Sequence, residues 1–362
     1  MNRILIAGGG TGGHLMPALA IASAIRERLP EIEPVLVGAV RGVEARILPT
    51  REFRFHLLPA EPIHRKAWWR NARWPFIAGR LLREVALVFE EERPLAVLGT
   101  GGYASAPVVW WATRHRTPTA IQEQNAYPGL ATRWLSRRVR HVYLGLPEAR
   151  RLLRFGRKTT VFDTGNPILP PIRARRAEAL TRFGLGPTQR VVLVTGGSQG
   201  ALAINRAVAG WLDAGGAGDA AVLWVTGRGT HEEFARFHRP PAVQVIDFLD
   251  PMADGYAVAD LVVSRAGMIT VAELCAWGLP SILVPLPTAA ADHQTHNARV
   301  LAEAGAALLL AQNELTPAKL GELIDRLLSD RAINSAMAAR ALARGRPAAA
   351  DEIVSNFSTL LR

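Results

Sequence analysis

Short β-rich apolar runs alternate along this chain with longer stretches of helical periodicity. Residues 4–7, 35–37, 96–98, 119–122 and 141–144 read as strands, each closed by a Gly or Pro break before a helix-like stretch. The pattern then restarts, with strands predicted at 191–195, 222–225, 243–246, 261–264 and 282–284 and helices between them. Alternation of strand and helix predicts a mostly parallel sheet covered on both faces. Two such series predict an α/β chain of two Rossmann-like, doubly wound domains facing a cleft.

The seam is expected at Gly165-Asn166-Pro167 through Pro170-Pro171, which can continue neither a helix nor a central strand. An N-terminal domain is therefore assigned to residues 1–163 and a C-terminal domain to 164–345. Residues 353–361 are amphipathic and expected to pack back on one of the two; a helix over 346–362 is assigned to the first. At 362 residues the chain is long enough for two cores of ordinary size.

Charge sharpens this division. Residues 1–163 hold 25 Lys/Arg against 13 Asp/Glu, whereas 164–362 hold 18 of each, so the whole net +12 lies in the first half. A one-sided basic domain points to an anionic surface: nucleic acid, anionic lipid or a phosphorylated substrate. The single cysteine, Cys275, excludes an internal disulfide framework and reads as a small core residue in a reducing compartment. No secretory signal is expected, because only residues 4–7 follow Arg3 before the glycines. The uncharged stretch 95–113 is broken by Gly99, Gly101, Gly102 and Pro107, which argues against a membrane span.

Candidate chemistry begins with glycine. Both halves open alike: a strand at 4–7 leads to Gly8-Gly9-Gly10-Thr11-Gly12-Gly13, and one at 191–195 leads to Gly196-Gly197-Ser198-Gln199-Gly200. Strand, glycine turn and helix start make an anion site, with backbone N–H groups aimed at a phosphate. Gly8, Gly10 and Gly13 satisfy the dinucleotide spacing, but no Asp or Glu ends the second strand to hold an adenosine ribose, which argues against a dehydrogenase. A third turn, Gly99-Thr100-Gly101-Gly102-Tyr103, also follows a strand. Any one of these turns is compatible with tight packing alone. Three at strand ends predict a phosphate-rich ligand in a cleft.

His14, just after the first turn, is either a polar residue near a helix cap or a general base kept neutral by the helix N-terminus. Glu273, one and a half turns into a helix beginning near Gly267, is either a solvated carboxylate or a holder of ribose hydroxyls. In 292–297, Asp292, His293 and His296 raise a metal site but lack a clear third ligand, and Gln294 and Asn297 better suit sugar hydroxyls. No Asp-x-Asp triplet occurs, which favours neutralising a leaving diphosphate with helix dipoles and side chains.

Residues 64–83 carry six Lys/Arg and no carboxylate, interleaved with Trp68, Trp69, Trp74 and Phe76. Apolar burial and positive charge together suit an anionic membrane surface. Trp110, Trp111, Arg114 and Arg116 extend the patch. A buried aromatic cluster and a nucleic-acid face are the competing readings. Nucleic acid leaves the paired glycine turns and Glu273 unexplained.

Taken together, Gly9-Gly10-Thr11-Gly12-Gly13-His14, Gly101-Gly102-Tyr103-Ala104-Ser105-Ala106-Pro107, Gln122-Glu123-Gln124-Asn125, Gly165-Asn166-Pro167, Gly196-Gly197-Ser198-Gln199-Gly200-Ala201 and Asp292-His293-Gln294 with Asn297-Ala298 resemble the MurG family, in its order and over nearly the whole chain. The family consists of bacterial transferases that add N-acetylglucosamine to lipid I, giving lipid II for peptidoglycan. The resemblance implies a GT-B fold, inverting transfer, UDP-N-acetylglucosamine as donor substrate, no metal or other cofactor, and a peripheral place on the cytoplasmic face of the inner membrane. Other proteins of wall synthesis and division are implied as partners, and nucleic acid is not.

By the same resemblance, His14 is the base, and Thr11, Gly12, Gly13 and Asn125 reach the donor sugar. Ser198 touches the diphosphate, and the backbone of Leu249 reads uracil. Met268, Ile269, Thr270, Val271, Ala272 and Glu273 line diphosphate and ribose, and Gln294 the sugar hydroxyls. Gly101, Gly102, Tyr103 and Glu123 fall on the acceptor side. One departure is plain: the family carries Val-Arg after Gly-Asn-Pro, and here Ile168-Leu169 follows. Arg265 and Arg206 are the candidate replacements for that guanidinium. Another two-domain transferase or an epimerase using the same donor is the alternative reading.

Overall fold

A computed structural model describes residues 2–62, 74–197 and 199–361, with Trp74 described by its backbone only. Two compact units divide the chain: Met1–Leu169 with Ala348–Arg362, and Pro170–Pro347.

The first unit is built on β1 (Asn2–Gly8), β2 (Ile32–Ala39), β3 (Phe55–Leu58), β4 (Ala96–Gly101), β5 (Thr119–Glu123), β6 (His141–Leu144) and β7 (Thr160–Phe162). They form one sheet in the order β3-β2-β1-β4-β5-β6-β7, with every pairing parallel. Side-chain alternation along each strand feeds two separate cores. Leu5 and Ala7 of β1 join Val35, Val37, Val97 and Val142 on one face. Ile4 and Ile6 join Leu36, Leu98 and Tyr143 on the other. Each such Ile or Leu contributes about 2 kcal/mol by leaving water.

The second unit carries β8 (Val191–Thr195), β9 (Ala221–Val225), β10 (Val243–Ile246), β11 (Leu261–Ser264), β12 (Ser281–Leu283) and β13 (Leu308–Leu309). Their order is β10-β9-β8-β11-β12-β13, again all parallel. Both sheets reverse their winding once, between β1 and β4 and between β8 and β11. In open α/β sheets the crevice at the carboxyl ends of such a strand pair takes the ligand, and it is where the glycine turns lie.

The last helix, Ala349–Phe357, belongs to the first unit. Its Ile353, Val354 and Phe357 are buried among Ile21 and Ile25 of the helix Gly12–Arg28. Arg28 Nε donates to Asp351 Oδ1 at 2.7 Å beside that seam.

The α/β class with two doubly wound parallel sheets is as the sequence predicts. Strands β3, β7 and β13 were not anticipated. All three are short edge strands, one side of which pairs with nothing, so they need neither length nor a continuous apolar run. Cys275 is buried, and burial pushes its thiol up to about 11, so it is an inert core residue as expected. Among the described residues no helix is long and apolar enough to cross a membrane.

Candidate active site

In the first unit the turns after β1 and β4 interlock. Gly9 N donates to Gly101 O at 3.4 Å, and Thr100 Oγ1 donates to the His14 carbonyl at 2.9 Å. Gly102 has φ +81°, and a Cβ there would fall on the Gly9 carbonyl oxygen; a Cβ on Gly101, at φ +96°, would enter the His14 ring. Only glycine permits this approach.

Beneath the first turn lies Glu44, fully buried. Its Oε1 accepts from Gly10 N at 2.8 Å and from Ala39 N at 2.8 Å, and its Oε2 accepts from Gly10 N at 2.9 Å. Cβ atoms on Gly9, Gly38 or Gly42 would each collide with it. The expectation that this turn offers its amides to a phosphate is thereby narrowed to the amides beyond Gly10. The Gly9 and Gly10 amides are spent within the protein, and a ligand anion would face the Glu44 charge. Thr11, Gly12 and Gly13 are exposed at the start of the helix Gly12–Arg28, whose N-cap, Thr11, makes no side-chain capping bond. These are the groups of the turn that can meet a sugar.

His14 follows them, partly buried. Its Nδ1 lies 3.2 Å from Thr100 O and 3.1 Å from Gln124 Oε1. Two oxygen acceptors around Nδ1 require that nitrogen to carry the hydrogen, so the neutral ring has its lone pair on Nε2. That is the form a general base needs. Tyr103 packs where a side chain on Gly10 would stand; burial, then the nearby Glu44 charge, raises its hydroxyl pKa. Glu123 is buried, and its carboxylate is used locally: it accepts from Asn125 N at 3.0 Å, Asn125 Nδ2 at 3.3 Å and Gly129 N at 3.1 Å. It shapes the turn that presents Asn125.

In the second unit the turn after β8 places Gly197 at φ +80° and Gly200 at φ +73°, where a Cβ on Gly200 would strike the Thr226 carbonyl. Ser198 falls outside the described residues. The helix Leu202–Asp213 follows with no side-chain cap from Ala201, and after β11 the helix Met268–Trp277 starts with none from Gly267. Neither helix has an acidic residue in its first turn. Two helix starts without carboxylates, following neighbouring strands, present partial positive charge suited to a diphosphate.

Along Met268–Trp277, Met268 and Val271 are buried, and Ile269, Thr270, Ala272 and Glu273 are partly so. Glu273 accepts from the Tyr256 hydroxyl at 2.9 Å. Burial raises its pKa to about 7, against the opposing pull of that hydrogen bond. Gln294 Oε1 accepts from Leu286 N at 2.9 Å. Buried Asn297 donates through Nδ2 to Ala266 O at 3.3 Å, tying the helix His293–Glu303 to the turn before Met268. Leu249 is buried after β10, beside exposed Phe248 and the Arg228 guanidinium over its ring.

Where the resemblance implies an Arg, Leu169 is 80% exposed. Arg265 is corrected as its replacement. Its Nη1 donates to Val284 O and Pro285 O in the loop after β12, both at 3.1 Å, and its Nη2 to Gln312 Oε1 beyond β13 at 2.7 Å, so both terminal nitrogens are engaged within the unit. Arg206 is exposed, with its Nε 3.5 Å from Glu233 Oε1.

His293 turns its Nδ1 to Ala290 O at 2.8 Å. Among the described residues, the His and carboxylate group close enough to hold a cation is instead His56, Glu91 and Glu92. There His56 Nε2 and Glu92 Oε1 are 2.6 Å apart, and the Arg54 and Arg3 guanidiniums reach Glu92 at 2.6 and 3.2 Å. This is an ion-pair cluster, and its cations disfavour a metal. Of the residues predicted on the membrane face, Trp68 and Trp69 lie outside the described residues, as does the Trp74 side chain. Phe76 is 84% exposed on the helix Trp74–Glu92.

Residues 4–144 match the glycosyltransferase family 28 N-terminal domain, and 191–353 its C-terminal domain. A protein of Moorella thermoacetica described as "UDP-N-acetylglucosamine--N-acetylmuramyl-(pentapeptide) pyrophosphoryl-undecaprenol N-acetylglucosamine transferase" is 39% identical, over 97% of each chain. The chain belongs to the MurG family of glycosyltransferases. A Salinibacter ruber relative of the same description is 40% identical over 99% of this chain and 96% of its own. The crystal structure of MurG from Acinetobacter baumannii superposes with a TM-score of 0.78 at 26% identity, over 99% of both chains. Against this MurG-family frame, sequence reasoning missed Glu44 and Tyr256. Neither stands in a recognisable spacing; each acts through a partner brought to it only by the folded sheet.

Proposed function

We propose that this glycosyltransferase transfers N-acetylglucosamine with inversion from UDP-N-acetylglucosamine to the C4 hydroxyl of the muramoyl sugar of lipid I, giving lipid II for peptidoglycan synthesis. The relatives' shared description supports the substrates. The observation that carries the chemistry is His14, placed after the exposed Thr11, Gly12 and Gly13 with its lone pair on Nε2. In this reading the acceptor C4 oxygen attacks the anomeric carbon and its proton passes to His14 Nε2. The bond from that carbon to the diphosphate oxygen breaks, and its electron pair leaves with UDP. Asn125 meets the donor sugar; Gly101, Gly102 and Tyr103 line the acceptor side, with Glu123 acting through the Asn125 turn.

The second unit's role is to hold the donor. The helix starts at Leu202 and Met268, with Ser198 between β8 and the first of them, neutralise the departing charge. Glu273 receives ribose hydroxyls, the Leu249 backbone reads uracil, and Gln294 meets the sugar. The reading requires no metal and no cofactor besides the UDP-sugar substrate.

The enzyme is proposed to act peripherally on the cytoplasmic face of the plasma membrane. Phe76, Arg80, Arg83 and Leu87 are all exposed and lie at helical spacing along one face of Trp74–Glu92, an apolar and cationic stripe suited to anionic lipid. Changing Trp68, Trp69, Trp74 and Phe76 to Ser is expected to abolish salt-sensitive pelleting with anionic vesicles; undiminished pelleting would place the anchor elsewhere.

One assay decides the activity. Radiolabelled UDP-N-acetylglucosamine is incubated with a lipid I analogue, with water and UDP-N-acetylmannosamine as controls. Label in a lipid product is expected. Free epimerised sugar would instead mean the epimerase reading.

A further inference from the structure

We infer that Tyr256 is a positioning residue for the donor nucleotide: by holding Oε2 of Glu273, it fixes the carboxylate and leaves Oε1 for the ribose hydroxyls. The inference rests on the reading of Glu273 as the ribose ligand. Tyr256 stands on the helix Met252–Val258, between β10 and β11, and is only 4% exposed. Its hydroxyl donates to Glu273 Oε2 at 2.9 Å, and among the described residues that is the one hydrogen bond the carboxylate makes. A glutamate side chain turns about three bonds, so this contact is what ties its end down. Without it the carboxylate would have to be ordered by the ligand, at a cost that falls on binding. Burial, and then the Glu273 charge, raise the Tyr256 hydroxyl well above its ordinary value, so it stays protonated and remains a donor.

The helix that carries Tyr256 is itself anchored. Asp254 Oδ1 accepts from Arg175 Nε at 2.9 Å, and Asp254 Oδ2 accepts from Arg182 Nη1 at 2.5 Å. Arg176 Nη1 donates to Ala257 O at 2.8 Å. The same helix also meets the residue proposed to read uracil: a Cβ on Gly255 would stand 2.8 Å from Leu249 Cδ2. Gly255 and Tyr256, adjacent in the chain, thus brace both the uracil and the ribose contacts proposed for the nucleoside. A fixed acceptor gains more from a ribose hydroxyl than one that must first be ordered.

The test measures Kd by titration calorimetry on the full-length protein, at a pH above the value of about 7 that burial gives Glu273. The two probes are UDP and 2′,3′-dideoxy-UDP, which lacks the ribose hydroxyls. Tyr256→Phe is expected to weaken UDP roughly five- to tenfold and the dideoxy analogue less than about twofold, since the loss is confined to the ribose contact. Steady-state assays should show the same loss as a rise in donor KM, with kcat within about twofold. In a Glu273→Ala background, adding Tyr256→Phe should change UDP affinity less than about twofold, because no carboxylate is left to position. Unchanged UDP affinity in Tyr256→Phe would overturn the inference, as would equal weakening of both nucleotides, the mark of a merely structural role. If Tyr256→Phe fails to fold, protein carrying 3-fluorotyrosine at position 256 decides by 19F NMR: its resonance should move more with UDP than with the dideoxy analogue, and equal movement would overturn the inference. Glu273→Ala alone tests the underlying reading. Undiminished UDP affinity there would end Glu273 as the ribose ligand, whereas weakened binding there with full affinity in Tyr256→Phe would end only the role of Tyr256.

Discussion

Glu44→Ala puts the tightest local demand of the first unit to the test. The carboxylate serves two backbone donors, Gly10 N through both oxygens and Ala39 N through one, inside a cradle of Gly9, Gly38 and Gly42. Truncation leaves both amides without an acceptor. At about 1–3 kcal/mol for each stranded buried donor, and with water recovering part of the loss, about 3 kcal/mol of the unit's stability should go. For a unit of this size that is roughly 6–12 °C in Tm. Glu44→Gln keeps the shape and one acceptor oxygen but sets its amide nitrogen against a backbone N–H, so about 2 kcal/mol, or roughly 4–8 °C, is expected. Differential scanning calorimetry of the wild type and both variants supplies the numbers, and steady-state assays supply the functional arm. Because the turn also carries Thr11 to His14, kcat should fall in the order wild type, Gln, Ala. An alanine variant that melted within about 1 °C of wild type would refute the reasoning, because two stranded amides cannot be that cheap. Tight anchoring of the turn would then have to come from Gly101 and Gly102 alone.

The remaining predictions concern charge. Burial works to raise the Glu92 pKa, but its hydrogen bonds with His56 and Arg54 outweigh burial and hold it below 4.5. The stability it contributes is therefore complete above about pH 4.5 and lost as pH falls through the lower folded value. Urea midpoints of Glu92→Gln against wild type should differ at neutral pH and converge in acid. Glu273, raised to about 7, should favour ribose binding only when ionised. UDP affinity by calorimetry should weaken as pH drops through 7, and Tyr256→Phe, which removes the bond that lowers this pKa, should move the midpoint upward. A flat profile would exclude Glu273 as a ribose ligand. Leu169→Arg, at an exposed position, should lower the donor KM several-fold by adding a charge-assisted contact to the diphosphate. An unchanged donor KM would show that the missing guanidinium is not felt.

Local pattern was sufficient for the class of the fold. Runs such as 4–7 and 191–195 are apolar because both faces of their sheets are covered, and a residue's neighbours in sequence report that directly. The glycine turns were legible for the same reason: a tight strand-to-helix turn must be written in adjacent residues. Edge strands β3, β7 and β13 were not, since their strand character comes from one neighbouring strand and not from their own composition.

The site divides along the same line. His14 and Glu273 were visible as residue types at helix starts. What they can do was decided by partners far away in the chain: Gln124 lies 110 positions from His14, and Glu44 lies 34 from Gly10. Hydrogen-bond direction, burial and the sign of the local charge are properties of such pairs. The same pairing withdrew Arg265, which by residue type looked available, by giving both its terminal nitrogens to the loop after β12 and to Gln312. A linear pattern states which groups exist; the parallel sheets, by bringing distant turns to one edge, determine which of them are already spent.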